Sequence, residues 1–229
     1  MKLMPFACAL LSLVVLGGQK SAAPLPADLK SMTKMNVRLM GPDIKPGSYT
    51  ALPKLIYRAG ARYARMEDAP DARTRVEKVT IIAEPDAYSI DLIDHTGTHA
   101  IDQGGANDMH LPMILPLDPR HRLANLDRLE FGQELAFFQK AGATKSAGPL
   151  INAKPTDLYT LEVNGCRAKL ITREGSDVAV FVSWTTKGGV YKYEYSFYAE
   201  VPFDPQLFKP PSGIKFREML PPAPGENGE

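Results

Sequence analysis

Apolar and polar residues alternate with a period of two along two stretches of this chain, and between them the period lengthens. In the first stretch Leu55, Tyr57, Ala59, Ala61 and Tyr63 share one face, with Arg58 and Arg62 opposite. Thr74, Val76 and Lys78 then alternate with Arg75, Glu77 and Val79 into Ile81-Ile82. After a turn at Glu84-Pro85-Asp86, Tyr88, Ile90 and Leu92 continue the pattern, and a turn at Thr96-Gly97 leads into a last short strand. The alternation predicts half-buried strands. With no helical segment between them, they pair antiparallel rather than as βαβ units. On this reading the Tyr57 face is buried, and Arg58 and Arg62 are exposed.

Residues 104–119 carry Pro112, Pro116 and Pro119 and read as a loop. Asp127 and Glu130 form an Asp-x-x-Glu start signal. Phe131, Leu135 and Phe138 follow at helical spacing, and Gly142 is a stop. Residues 128–141 are therefore predicted as an amphipathic helix whose Phe stripe lies on the sheet.

The second stretch carries the strongest local signal. Asn164-Gly165 is a two-residue hairpin turn, since both positions tolerate positive φ. It sets Val163 opposite Cys166, Leu161 opposite Ala168 and Tyr159 opposite Leu170, all apolar, with Glu162 paired to Arg167 on the other face. Pattern and turn specify one register. Val178, Val180, Val182 and Trp184 form the next strand, and Tyr191, Tyr193, Tyr195 and Phe197 share a face of the one after. A proline-rich tail anchored by Phe203, Leu207, Phe208, Ile214 and Phe216 crosses the sheet edge. Near the start, Met32, Met35 and Leu39 suggest a short helix over residues 29–40.

Lys2, an apolar run over residues 6–16 and the small residues Ser21-Ala22-Ala23 have the layout of a secretory signal peptide. The run is shorter than the roughly 20 residues that span a bilayer. The expected organisation is a signal peptide over residues 1–23, one domain over 24–222 and a disordered tail over 223–229. The expected location is the periplasm. The chain has 229 residues and a net charge of +1; loss of residues 1–23 would leave 25 basic against 26 acidic residues. That balance gives no footprint for nucleic acid. It would also leave Cys166 alone, with no disulfide to form.

Two segments carry a family resemblance: Leu55-Ile56-Tyr57-Arg58-Ala59-Gly60-Ala61-Arg62-Tyr63, and Val201-Pro202-Phe203-Asp204-Pro205-Gln206-Leu207-Phe208-Lys209-Pro210-Pro211-Ser212-Gly213. Together with the order of elements, they resemble the LolA-like superfamily of periplasmic lipoprotein carriers and related envelope proteins. The resemblance spans roughly residues 50–216. It implies a mainly β fold with minor α: a strongly bent antiparallel sheet, a half-open barrel, with one or two helices over its concave side. It also implies an apolar cavity for acyl chains and an arginine that controls opening, for which Arg58 and Arg62 are the candidate gate. A clear long N-terminal helix, usual in that family, is missing here.

The candidate ligand-facing residues are Tyr57, Tyr63, Tyr88, Phe131, Phe138, Trp184, Tyr193, Tyr195 and Phe197. Aromatic strand faces either pack a core or line an apolar pocket, and a half-barrel allows both. The expected function is non-catalytic binding or carriage of an apolar small molecule, lipid or lipidated protein, with transient contact to envelope membrane proteins and no cofactor. The alternative is an envelope scaffold or partner-binding module with a filled core. A third reading takes His95 and His99, opposed across a Thr96-Gly97-Thr98 loop, as a cross-strand metal pair. His110 and His121 add no ligand spacing. No nucleophile elbow or His-Glu-x-x-His motif occurs.

Overall fold

The computed structural model describes residues 29–71, 75–101, 111, 113 and 118–219. The expected signal peptide and disordered tail lie outside the described residues, as do His110 and most of the proline-rich loop. Twelve strands form one open, bent sheet in the order β12-β6-β5-β4-β3-β2-β1-β11-β10-β9-β8-β7. They are β1 Ser31–Met40, β2 Lys54–Ala59, β3 Tyr63–Asp68, β4 Lys78–Ala83, β5 Asp86–Asp91 and β6 Thr96–Ile101, then β7 Thr144–Ala147, β8 Thr156–Val163, β9 Cys166–Arg173, β10 Ala179–Thr186, β11 Gly189–Pro202 and β12 Lys215–Met219. All neighbours pair antiparallel except β12, which runs parallel to β6. Two short helices, α1 Pro119–Leu123 and α2 Glu134–Lys140, accompany the sheet.

The β8–β9 hairpin has the predicted register, residue for residue. Asn164 and Gly165 both take positive φ, at 50° and 73°. Period-two alternation then sends Tyr159, Leu161, Cys166, Ala168 and Leu170 into the larger of two cores.

Residues 29–40 are not a helix. They form β1, paired to β2 on one side and β11 on the other. Met35, Val37 and Leu39 enter the larger core, while Met32 enters a second core on the opposite face. A strand that sends apolar residues to both faces blurs its alternation, and the spacing of its methionines imitates a helix. Residues 55–63 are likewise not one strand. The chain reverses at residues 60–62, where Gly60 has φ 59°. Ala59 and Tyr63 face each other across that three-residue loop, so odd-numbered residues stay on one face through the turn and the reversal leaves no trace in the pattern. The predicted helix over 128–141 shortens to α2, preceded by a 3-10 turn at Leu126–Arg128.

The larger core lies on the concave face, between the sheet and the segment carrying α1 and α2. The second core lies behind β1–β5. Tyr63, Ile81, Ile90 and Phe208 are buried there, with Phe203, Leu207, Ile214 and Phe216 packed against them. The tail thus covers the back of the sheet before ending as its edge strand. Gly165→Ala forces a side chain into left-handed backbone, which costs about 1–2 kcal/mol; urea denaturation should show this loss with an unchanged m-value.

Candidate functional site

Cross-strand register decides where the arginines point. Tyr57 pairs with Arg65, and Arg58 with Ala64, so Arg58 shares its face with Ile56, Ala64 and Met66. Those three belong to the larger core. Arg58 is therefore not exposed, as its strand pattern predicts, but 5% accessible. Its guanidinium donates to Glu130 Oε2 at 2.8 Å, to the Gly60 carbonyl at 2.8 Å and to the Ala61 carbonyl at 2.9 Å. Arg62 sits in the turn with its side chain 57% accessible and reaches Glu84 at 3.1 Å.

Arg58 meets the approach to α2. Gly132 takes φ 77°, and a Cβ there would stand 3.2 Å from the Arg58 stem, so the chain can turn here only without a side chain. The turn aims Glu134, the first residue of α2, down at the sheet. Its Oε1 accepts the Gly132 N–H at 2.8 Å and the Tyr195 hydroxyl at 2.5 Å. Burial pushes the Glu134 carboxyl above its ordinary range, although the Tyr195 hydroxyl, backbone N–H groups and Arg58 oppose the shift. Burial, with the Glu134 charge, pushes the Tyr195 phenol well above its ordinary value. Arg58 is thus the buried cation that faces two buried acids where the segment before α2 lies on the sheet.

Phe131 stacks edge-on against Tyr193 at 5.0 Å, and Trp184 lies 6.1 Å from Tyr193. Phe131, Phe138, Trp184 and Tyr193 show essentially no accessible surface. At the mouth of the seam, a solvent-open cleft of ≈ 260 Å³ is lined by Arg58, Glu130, Gln133, Ala136, Phe137 and Lys140, among others. That is below the ~300 Å³ of ordinary small-molecule sites.

The structure brings Phe131, Phe138, Trp184, Tyr193 and Tyr195 together in the concave core. It places Tyr63 in the opposite core, with Tyr57 and Tyr88 packed against that core. Phe197 does not join the face of Tyr191, Tyr193 and Tyr195. A bulge leaves Ser196 out of register with β1, between Phe197 opposite Asn36 and Tyr195 opposite Val37, and alternation flips. Tyr198 then packs on the core, and Phe197 is 45% accessible. Glu130 and Glu134, which complete the site, escape sequence reasoning because both fall within a predicted surface helix. Their i, i+4 spacing, each one residue before Phe131 or Leu135 of the stripe, is the available signal.

His95 and His99 are not opposed. The reversal falls at residues 92–95, where the Asp91 carboxylate accepts the N–H groups of Ile93 and Asp94, and His99 pairs with Tyr88. No group of three or more His, Cys, Asp or Glu residues suited to a metal occurs among the described residues. His121 is buried and serves structure. Its ring closes a capping box with Asp118 at the start of α1, and its Nε2 donates to the Thr185 carbonyl at 2.9 Å. Cys166 is buried, and burial pushes its thiol pKa up, away from a thiolate.

No family model and no curated protein matches this chain. Among solved structures it is similar to an uncharacterized conserved protein from Thermus thermophilus. The match has a TM-score of 0.52 and 9% identity, and covers 83% of this chain and 92% of that one. At that identity the two share a fold and nothing further is implied. Two crystal forms of PNGF-II match at 11% identity, with TM-scores of 0.39 and 0.37. They cover 83% and 82% of this chain, which spans only about a third of PNGF-II, 32% and 31%.

Two outcomes follow from the seam. Arg58→Ala removes the cation from buried carboxylates and should cost about 3–5 kcal/mol in urea denaturation, while Arg62→Ala should change stability by less than about 1 kcal/mol. A carboxyl whose folded pKa is raised favours the protonated fold. Its contribution is complete below the ordinary value of 4.5 and is lost as pH rises through the folded value. Glu134→Gln keeps an acceptor for Tyr195 and Gly132, so the stability lost above pH 4.5 should shrink in this variant.

Proposed function

We propose that this is an exported, non-catalytic binding protein of the LolA-like kind, which takes an apolar ligand such as a lipid or acyl chain between α2 and the concave face. The observation that carries the reading is the Arg58–Glu130 pair, buried between the sheet and the segment before α2. Buried ion pairs are often worth less than the hydrophobic contacts that could replace them. A cover that must lift from the sheet benefits from such a seam. Arg58 then acts as the gate: it holds residues 130–134 against the sheet when closed and yields to water when open. The ligand's tail would replace contacts of Phe131 and Phe138 with the sheet. Delivery would involve transient contact with a lipidated protein or an envelope membrane protein.

A second reading is favoured by a different observation. The packing of Phe131, Phe138, Trp184 and Tyr193 suits a scaffold with a permanently filled core. Native mass spectrometry of protein released by mild extraction separates the two. The carrier reading expects an apolar adduct, or one-to-one uptake of added fatty acid or lipopeptide. Protein recovered ligand-free, with no uptake of either, would leave the scaffold.

A further inference from the structure

At the far end of the sheet, one imidazole ring sits where the ladder of the edge strand β12 meets β6. His99, on β6, stands directly opposite Glu218 on β12 and Tyr88 on β5. Its Nδ1 lies 2.8 and 3.0 Å from the two Glu218 carboxylate oxygens, and its Nε2 lies 2.8 Å from Asp86 Oδ1. The imidazole stacks on Tyr88 with centroids 4.7 Å apart, and Phe216 closes over both rings. Both nitrogens therefore face carboxylates. A neutral imidazole has one N–H and one lone pair, so it can satisfy only one of them. The geometry fits the doubly protonated ring.

We propose that His99 is a pH-sensitive latch on β12: the imidazolium ties Glu218 to Asp86 and holds the last strand on the sheet, and loss of one ring proton releases it. The charged and titratable groups around the ring are Asp86 and Tyr88 from β5 and Glu218 from β12. Burial, then Asp86 and Glu218, push the Tyr88 phenol up, so it stays neutral while the ring titrates. Burial by itself would lower the His99 pKa, but the hydrogen bonds to Asp86 and Glu218 outweigh it and raise the value above 6.5. With the folded value raised, the latch contributes fully below the unfolded value and is lost as pH rises through the folded one. Above it, two carboxylates share one neutral ring and repel each other.

The latch reaches both faces. Phe216 and Glu218 point to the His99 side, while Lys215 and Arg217, the alternate residues of β12, wall a cleft of ≈ 410 Å³ with Lys78, Ser89 and Thr98. Release of β12 dismantles that cleft and frees the edge of β6. This inference is independent of the ligand reading for the concave face.

The test is amide hydrogen exchange of the full chain from about pH 5 to about pH 9, corrected for intrinsic rates, with an NMR titration of the His99 ring. Expected is a ring midpoint above the ordinary value. Across that midpoint, exchange of residues 216–219 should accelerate by roughly tenfold relative to the β8–β9 hairpin. His99→Gln should flatten that profile, and Glu218→Gln should lower the ring midpoint. The hairpin amides report that either variant is folded. Exchange in β12 that ignores the ring titration, or that keeps the same profile in His99→Gln, would overturn the latch.

Discussion

Among the described residues, the backbone ladders that join the two halves of the sheet run through β1. Its partner β2 opens the meander of residues 54–101, and its partner β11 closes the meander of residues 144–202. A strand paired on both edges, with apolar residues turned to both faces, has a composition that has to serve two cores. Met32 goes to one; Met35, Val37 and Leu39 go to the other. The Ser196 bulge in β11 lies beside the middle of this strand. It turns Tyr198 inward, adds local twist and helps a twelve-stranded sheet bend without closing. The concave face that carries the candidate site is a consequence of that seam.

Charge enters this apolar frame in a few ordered places. Lys54 and Asp68, opposite each other on β2 and β3, form a buried pair with Tyr49 donating to the same carboxylate. Arg58, Glu130 and Glu134 form the second group, further along β2 on the concave face. The two groups differ in what they join. Lys54 and Asp68 join neighbouring strands that the backbone ladder already holds, so they add specificity of register. Arg58 and Glu130 join the sheet to the segment that leads into α2, which is not one of the twelve strands. Side-chain packing and this polar seam help to fix it, which makes it the better candidate for motion.

What is legible in the sequence depends on loop length. A two-residue loop, as at Asn164-Gly165, switches the parity of the inward residues from odd to even, and the switch is visible: Val163 against Cys166. The three-residue loop at 60–62 preserves parity, so two strands read as one and Arg58 reads as a solvent-facing residue. Gly97 suggests a turn that the Asp91 side chain in fact builds upstream of it. Bulges are silent for the same reason. Nothing between Tyr195 and Phe197 announces that alternation breaks, yet that break removes Phe197 from the aromatic face. The candidate site is therefore half legible. Its aromatic floor follows from alternation, whereas its charges depend on long-range register that no local pattern encodes.

The two polar assemblies at opposite ends of the N-terminal meander obey the same electrostatic logic with different stakes. On the proposed gate reading, the seam at α2 answers to what displaces Arg58, a ligand or water. His99 sits between carboxylates in the same way, but its charge is removable near neutrality. One ion pair has its acid side buried; the other has Glu218 largely in solvent. A buried pair resists water and switches through movement of the element it holds. An imidazolium paired to a carboxylate largely in solvent is within reach of water, and on the proposed latch it switches through loss of a proton. On the readings proposed above, one face of the sheet carries a cover that responds to contact, and the far edge responds to pH.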